Sequence, residues 1–166
     1  KDESTGPGVN AFNDIVIHKS GVARVTRLRL DVEGADGVCE EVGSFSADGV
    51  IVSTPTGSTA YALSAGGPIV VPTVPCILAT PVCPHSLAVR PLVLPAPATL
   101  EVRSVDRPED LVLTVDGQEV HDLGPDDAVR VWSSKRTVPL IRFRWNTYFS
   151  TLRQKLGWAL DGAKDR

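Results

Sequence analysis

The sequence has 166 residues, of which 42% are hydrophobic and 22% charged, a balance typical of one soluble domain with its own core. The formal net charge is -3 and the Lys and Arg residues are scattered, so neither nucleic acid nor an anionic membrane is an expected partner. Prolines and charges interrupt every apolar stretch before it reaches the roughly 18 residues of a membrane span, and no signal-peptide pattern opens the chain, so we expect a cytoplasmic protein.

Proline and glycine dominate the organisation of the chain. Nine of the thirteen prolines fall between Pro55 and Pro97, which excludes long helices from that region and predicts a mainly β domain. Apolar positions change phase near Thr26, which indicates a bulge there. Runs rich in β-branched or alternating apolar residues predict strands over 14–18, 23–33, 49–53, 69–71, 76–79, 91–94, 111–115 and 118–120.

Turns and helices complete the predicted architecture. Asp36-Gly37 and Asp116-Gly117 each have the Asp-Gly pair typical of a two-residue hairpin turn. A helix is predicted over 58–65, because small hydroxyl residues open it and Gly66-Gly67-Pro68 closes it. A second helix is predicted over 146–160, with Asn146 as its N-cap and one apolar stripe formed by Phe149, Leu152, Leu156 and Leu160. The fold class is therefore a β-sandwich-like domain with two short helices.

Three cysteines, Cys39, Cys76 and Cys83, form neither a Cys-x-x-Cys pair nor a cluster with histidine. An odd count without metal-ligand spacing argues against a disulfide framework and against a zinc site. We expect reduced thiols and no metal ligands in this chain.

The segment Asp48-Gly-Val-Ile-Val-Ser-Thr-Pro-Thr-Gly-Ser-Thr-Ala-Tyr-Ala-Leu-Ser-Ala-Gly-Gly-Pro68 passes from a buried strand through hydroxyls into a helix. Free backbone N–H groups at a helix start favour a ligand rich in phosphate and hydroxyl oxygens, and Tyr61 offers a ring for a base. A capped helix after a hydroxyl-rich turn explains the same residues. The residues alone leave both interpretations open, although they exclude the Walker, Rossmann and hydrolase-elbow motifs.

This segment resembles, nearly residue for residue, the signature of the NAD kinase family. Further stretches are similar to the family's conserved ones: Ala11-Phe-Asn-Asp-Ile-Val-Ile-His18, Pro84-His-Ser-Leu87, Arg90-Pro-Leu-Val93, Asp116-Gly-Gln118 and the helix from Phe149 to Trp158. The likeness covers about residues 10–160. Asp14 stands where the family more often has Glu.

The resemblance implies that residues 1–166 are the C-terminal, NAD-binding all-β domain of a two-domain kinase. The family's Gly-Gly-Asp-Gly loop and its N-terminal α/β ATP-binding domain are not in this sequence, and the absence of methionine also leads us to expect a fragment of a longer product. The aspartate that activates the ribose hydroxyl belongs to that loop. No catalytic residue is therefore expected here.

The resemblance also implies the ligands and the residues that bind them. ATP with a divalent metal such as Mg²⁺ would phosphorylate the adenosine-ribose 2′-hydroxyl of NAD, within a homo-oligomer that is a dimer or tetramer. The metal and ATP would be bound mainly by the missing domain. The implied NAD-binding residues are Asn13, Asp14, Arg24, Asp48, Thr56, Thr59, Ala60, Tyr61, Ala62, Leu63, Ser64 and Gln118.

Two other functions remain open at this point. A lipid or sphingoid kinase has a similar two-domain plan, but the sequence lacks the apolar pattern of an acyl tunnel. The other is a non-catalytic β domain that binds nucleotide or only mediates oligomerisation. The fragment itself would act as such a domain, because half of an active site does not catalyse a reaction.

Overall fold

A computed structural model describes residues 8–19, 25–105, 111–124, 126–141, 143 and 147–158, without the side chains of residues 119 and 120. The chain divides into two compact units, Lys1–Ser134 and Lys135–Arg166. The predicted site residue Arg24, the predicted N-cap Asn146 and the stripe residue Leu160 lie outside the described residues.

The first unit consists of two antiparallel sheets. The six-stranded sheet has the order β6-β5-β4-β1-β8-β9 and the four-stranded sheet the order β10-β7-β2-β3. The strands are β1 Asp14–Lys19, β2 Thr26–Glu33, β3 Cys39–Ala47, β4 Gly49–Ser53, β5 Cys76–Val82, β6 Leu92–Pro95, β7 Thr99–Ser104, β8 Leu111–Val115, β9 Gln118–Leu123 and β10 Ala128–Trp132. The predicted mainly β class is confirmed, although β3, β7 and β10 were not predicted.

The core lies between the two sheets, because alternate residues of each strand point to the same side. Ile17, Val50 and Val52 of the six-stranded sheet join Leu28 and Leu30 of the four-stranded sheet in one buried cluster. The alternation therefore leaves Asp14, Val16 and His18 of β1 on the other face of the six-stranded sheet.

A short segment after β4 covers part of that outer face. It consists of a 3-10 helix, Gly57–Thr59, and a four-residue helix α1, Tyr61–Ser64, separated at Ala60, whose φ and ψ are -101° and -128°. Ala62 is fully buried against Val16 and Ile51. The helix predicted over 58–65 is therefore confirmed in part: α1 is present, but Ala60 separates it from the 3-10 helix. The few aligned peptide dipoles of α1 do not make the anion site that such a helix would offer.

Residues 69–71, predicted as a strand, are not one. Val70 lies between Pro68 and Pro72, which have no backbone N–H to donate to a neighbouring strand. Its own N–H is bound by the hydroxyl of Ser58 at 3.0 Å. The apolar run is thus a connection held to the 3-10 helix.

The two Asp-Gly sequences form different hairpins. In the β8–β9 turn Val115 pairs with Gln118, and both loop residues have positive φ, 48° at Asp116 and 79° at Gly117, as a two-residue type I′ turn requires. In the β2–β3 turn Gly34 donates to the Val38 carbonyl at 2.9 Å, so three residues form the loop. The bulge predicted near Thr26 is also absent there; the register shift lies between Leu30 and Asp31.

The outer face of the four-stranded sheet has ion pairs both within β2 and between strands. Arg29 binds both carboxylate oxygens of Asp31, through Nη2 at 2.7 Å and Nε at 2.9 Å, and lies 3.3 Å from Glu41 of β3. Arg130 of β10 binds Glu33 at 2.6 Å. This face is charged but locally neutralised.

The second unit contains one described helix, α2, Tyr148–Leu156. Thr147 is its N-cap and accepts a hydrogen bond from the Ser150 nitrogen at 3.2 Å. Leu152 of the predicted stripe is buried, whereas Phe149 is 56% exposed. No helix of the described residues is long and apolar enough to cross a membrane.

Candidate functional site

An open cavity of about 630 Å³ lies on the outer face of the six-stranded sheet. Its base is formed by outward-facing strand residues, among them Val16 and His18 of β1 and Thr114 of β8. Its sides are formed by residues of four connections between strands: β3–β4, β4–β5, β5–β6 and β8–β9. The lining residues are Asn13, Asp14, Val16, His18, Lys19, Asp48, Ala60, Tyr61, Val82, Cys83, Thr114, Asp116 and Gly117.

Asn13 and Asp14 enter the cavity where β1 begins. The Thr54 nitrogen donates to the Asn13 carbonyl at 2.9 Å, and the Thr54 hydroxyl donates to the Phe12 carbonyl at 2.9 Å. Gly57 packs so closely here that a Cβ atom on it would lie 2.0 Å from the Asn13 carbonyl oxygen. Glycine is therefore required at position 57 to let the two backbones approach.

The β8–β9 turn holds the same segment from the other side. One carboxylate oxygen of Asp116 accepts from the Phe12 nitrogen at 2.7 Å, and the other accepts from the nitrogens of Asn13 at 2.7 Å and Asp14 at 3.1 Å. The Asp116 nitrogen donates to the Asp14 carbonyl at 3.0 Å. Segment 12–14 is thus bound on both sides through its backbone.

The two carboxylates of this region have opposite pKa shifts. Asp14 is 6% exposed, and its pKa is raised, first because burial disfavours the charged form and second because the charge of Asp116 is close. Burial also acts to raise the pKa of Asp116, but the hydrogen bonds from Phe12, Asn13 and Asp14 lower it below its ordinary value. Asp116 is therefore the more readily ionised of the pair.

Charged groups of both signs lie at the end of the cavity where β1 finishes. Lys19 Nζ lies 3.1 Å from the carboxylate of Asp48, and the Lys19 carbonyl lies 3.0 Å from Nδ1 of His18. Asp48 stands in the connection between β3 and β4. This ion pair places a cation and a carboxylate side by side at the cavity edge.

Tyr61 begins α1 and is 46% exposed, with its side chain on the cavity. The non-helical backbone conformation of Ala60 separates the 3-10 helix from α1, and Ala60 and Tyr61 both line the cavity. An exposed ring beside a polar cavity offers a flat surface for a planar group.

Of the twelve predicted site residues, the cavity brings together Asn13, Asp14, Asp48, Ala60 and Tyr61. The remaining described ones are not among its lining residues: Ala62 of α1 is buried against the sheet, Thr56 and Leu63 are half-buried, and Thr59, Ser64 and Gln118 are exposed.

The lining residues that the sequence did not suggest are Val16, His18, Lys19, Val82, Cys83, Thr114, Asp116 and Gly117. Alternation along β1 was the available signal for Val16 and His18, and the Asp-Gly turn for Asp116 and Gly117. No pattern in the sequence indicated the other four lining residues, Lys19, Val82, Cys83 and Thr114. The cysteines are free, with Cys39 and Cys83 exposed and Cys76 buried.

Within the described parts of the chain, no group of three or more His, Cys, Asp or Glu side chains is arranged to hold a metal ion. The cavity instead offers amide and carboxylate groups, one ion pair and an exposed aromatic ring. Such groups suit a polar ligand with hydroxyl groups and a planar ring system.

The chain is similar to known proteins over most of its length. Residues 12–143 match the family model of the ATP-NAD kinase C-terminal domain. The NAD kinase of Gemmatimonas aurantiaca is 50% identical over 148 residues, which are 89% of this chain and 50% of that protein. The NAD kinase of Acidobacterium capsulatum is 46% identical over 148 residues, with the same coverage.

Two solved structures have the same fold. Yeast NADH kinase, crystallised with NADH, aligns with a TM-score of 0.76 at 34% identity, over 94% of this chain and 46% of that one. An NAD kinase from Archaeoglobus fulgidus in complex with ATP aligns with a TM-score of 0.66 at 31% identity, over 80% of this chain and 49% of that one. The chain spans about half the length of the relatives that it matches.

Proposed function

Since this chain belongs to the ATP-NAD kinase C-terminal domain family, we propose that it supplies the NAD site of an NAD kinase. The enzyme would transfer the γ-phosphoryl group of ATP to the 2′-hydroxyl of the adenosine ribose of NAD, giving NADP, ADP and a proton. The observation that carries the proposal is the cavity, which joins Asn13 and Asp14, Asp48, and Ala60 with Tyr61 from three separate segments.

Each of these residues suits one part of the dinucleotide. The Asp14 carboxylate accepts hydrogen bonds from ribose hydroxyls, and the Asn13 amide both donates and accepts. The exposed ring of Tyr61 packs against adenine. Asp48, held by Lys19, accepts from the adenosine portions. The family resemblance assigns Thr56, Thr59, Ala62, Leu63, Ser64, Gln118 and Arg24 to the same site, with Arg24 and Gln118 partly from a neighbouring subunit.

Phosphoryl transfer itself requires positioning of the phosphates and stabilisation of their charge. The described residues form no metal-binding group, and the cavity contains one lysine, already paired with Asp48. We therefore assign ATP, its divalent metal and the Gly-Gly-Asp-Gly loop to an N-terminal α/β domain of the whole protein. With catalysis assigned to the N-terminal domain, we propose no catalytic residue in the present chain.

The proposal extends to the setting of the enzyme. A kinase that makes NADP from NAD and ATP would act in the cytoplasm, where both substrates are available, and would assemble as a homo-oligomer. Sedimentation of the full-length protein at micromolar concentration should give a dimer or larger species.

NAD binding provides the decisive test. Calorimetric titration of NAD into the full-length protein is compared for the wild type, Tyr61→Ala and Asp14→Asn. Loss of the Tyr61 ring should weaken binding by about 0.5–1.5 kcal/mol beyond the loss of buried area. Loss of the Asp14 charge should weaken it by roughly 1.5–3 kcal/mol, because charge-assisted hydrogen bonds to hydroxyls are lost.

Two control variants separate the site from the fold. Trp132→Ala removes an exposed ring from β10, in the other sheet, and Asp36→Asn removes a carboxylate from the β2–β3 turn. Neither should change NAD affinity. Unchanged affinity in both Tyr61→Ala and Asp14→Asn would place the NAD site elsewhere, and a large fall in melting temperature of Tyr61→Ala would make that residue a packing residue.

The division between domains has its own test. The 166-residue chain alone, incubated with ATP, Mg²⁺ and NAD, should produce no NADP above the blank, whereas the full-length protein should. Turnover by the isolated chain that is lost on mutation of a residue within it would contradict the assignment of catalysis to the N-terminal domain.

A further inference from the structure

Among the described residues that line the cavity, Asp116 is the one carboxylate whose oxygens accept from backbone N–H groups of a distant segment. Among the described residues, its partners are the nitrogens of Phe12, Asn13 and Asp14, about a hundred residues earlier in the chain. A turn residue needs only to accept the backbone conformation of its turn. Three hydrogen bonds to the segment that begins β1 are more than a turn requires.

We propose that Asp116 is a positioning residue of the NAD site, which holds the backbone of Asn13 and Asp14 so that their side chains face the bound dinucleotide. The proposal rests on the proposed function, because it assigns to Asp116 a role in presenting two residues of that site. Asp116 acts through Asn13 and Asp14 and need not itself contact NAD.

The geometry of the turn explains why an acidic residue serves here. Both loop residues of the type I′ turn have positive φ, a conformation that Asp and Asn adopt more easily than other residues with a Cβ atom. Asn would fit the turn, but its side chain has one acceptor oxygen and an NH₂ group. Three backbone N–H groups point at this side chain, and the two oxygens of a carboxylate can accept from all of them. The amide of Asn would turn its NH₂ group toward one of these donors, which cannot form a hydrogen bond.

Segment 12–14 is also held on its opposite side, so that Asp116 and Thr54 together form a clamp around it. Thr54 donates to the carbonyls of Phe12 and Asn13, whereas Asp116 accepts from the N–H groups. Gly57 contacts the Asn13 backbone on the side of the 3-10 helix. Removal of the Asp116 side chain would therefore break the hydrogen bonds to the N–H groups of the segment and leave those from Thr54 to its carbonyls.

The clamp also places a negative charge beside Asp14. The pKa of Asp14 is raised by its burial and by the charge of Asp116. As the pH is lowered, Asp14 should therefore become protonated, and lose affinity for a hydroxyl-rich ligand, at a higher pH than an ordinary aspartate. The other charged or titratable side chains lining the cavity are His18 and Lys19 of β1, Asp48, Tyr61 and Cys83. Removal of the Asp116 charge should move the Asp14 titration to lower pH.

The test uses the full-length protein with four variants. Asp116→Gly keeps the positive φ and removes the carboxylate, and Asp116→Asn keeps the shape and removes the charge. Asp14→Asn reports on the site itself. Asp36→Asn is the matched control, because Asp36 also precedes a glycine in a hairpin but, among the described residues, accepts only from Val38 within its own turn, at 3.1 Å. Calorimetric titration of NAD from pH 4 to pH 8 is accompanied by melting curves.

We expect both Asp116 variants to bind NAD about ten-fold more weakly at neutral pH, as the loss of charge-assisted hydrogen bonds implies. In Asp116→Asn the acid limb of NAD binding should also shift to lower pH, and Asp36→Asn should behave as the wild type. A purely structural role would lower the melting temperature without moving that limb. Wild-type affinity and an unshifted acid limb in both Asp116 variants, with weakened binding in Asp14→Asn, would overturn the proposal. Unchanged binding in Asp14→Asn would instead refute the proposed NAD site.

Discussion

The hydroxyl of Ser58 accepts a hydrogen bond from the backbone nitrogen of Val70 at 3.0 Å and lies 2.6 Å from the carbonyl of Pro55, to which it donates. Ser58 is fully buried. The hydroxyl therefore ties the 3-10 helix at one side of the cavity to the connection that leads into β5.

Replacement of Ser58 by alanine should destabilise the fold. The change leaves the Val70 N–H and the Pro55 carbonyl without this partner in a buried place, which costs about 1–3 kcal/mol. Urea unfolding of the chain, with the free energy extrapolated to water, measures the difference. Wild-type stability of Ser58→Ala would mean that water or a rearranged backbone replaces the hydroxyl.

A second buried hydroxyl should behave in the opposite way. Thr80 lies on β5 with none of its surface exposed, and its Oγ1 has no hydrogen-bond partner within the described structure. Thr80→Val keeps the shape and removes the unsatisfied group, so we expect unchanged or higher stability, by up to about 1 kcal/mol. Ser58→Ala, measured in parallel, supplies the contrast. A loss as large as that of Ser58→Ala would show that Oγ1 of Thr80 is satisfied in solution.

Gly57→Ala should affect both the fold and the site. The new methyl group would meet the Asn13 carbonyl oxygen at 2.0 Å, so that the backbone of segment 12–14 must move. Overpacking of this kind costs about 1–3 kcal/mol, and NAD affinity should fall with it. Gly8→Ala is the control, since a Cβ atom there meets no atom within 4 Å. NAD titration and melting curves that match the wild type would contradict the close approach.

Asp31 should make stability sensitive to acid. The hydrogen bonds from Arg29 lower the pKa of Asp31 below its ordinary 3.8, so the ionised form stabilises the folded state. This stabilisation is complete above the unfolded-state value near 3.8 and is lost as pH falls below it, through the folded-state pKa. Asp31→Asn should thus be less stable than the wild type at pH 7, by a difference that narrows below pH 3.8.

Urea unfolding at pH 7, 4 and 3 follows this difference. Asp122→Asn, an exposed position on β9, is the control and should stay close to the wild type throughout. A difference between wild type and Asp31→Asn that is constant with pH would rule out Asp31 ionisation as its source.

The parts of the fold that the sequence predicts are those with a strong local signal. The run Gly49–Ser53 is buried throughout, and its bounds match the prediction. The Asp116-Gly117 turn pairs the strands that it was expected to pair. Strand β7 was missed because only Leu100 and Val102 face the core, whereas Glu101 and Arg103 lie among the ion pairs of the outer face. Local alternation over so few residues is weak.

The candidate site shows the same limit in another form. Asp14 and Tyr61 lie in motifs, so a resemblance to known sequences finds them. Lys19, Val82 and Thr114 reach the cavity only because β5, β4, β1 and β8 are neighbours in the sheet. Sheet order depends on contacts between distant segments, and no pattern within one segment specifies it. The long-range hydrogen bonds of Asp116 belong to the same class.

The position of β1 bears on how the protein is made. It comes earlier in the chain than both of its neighbours, β4 and β8, yet it lies between them in the sheet. During synthesis both edges of β1 therefore wait for their partners, the second until nearly a hundred residues more have been added. Until β4 is made β1 has two open edges, and until β8 is made it keeps one, which favours pairing with other nascent chains. Acquisition of NAD binding would then mark the moment at which the last central strand pairing has formed.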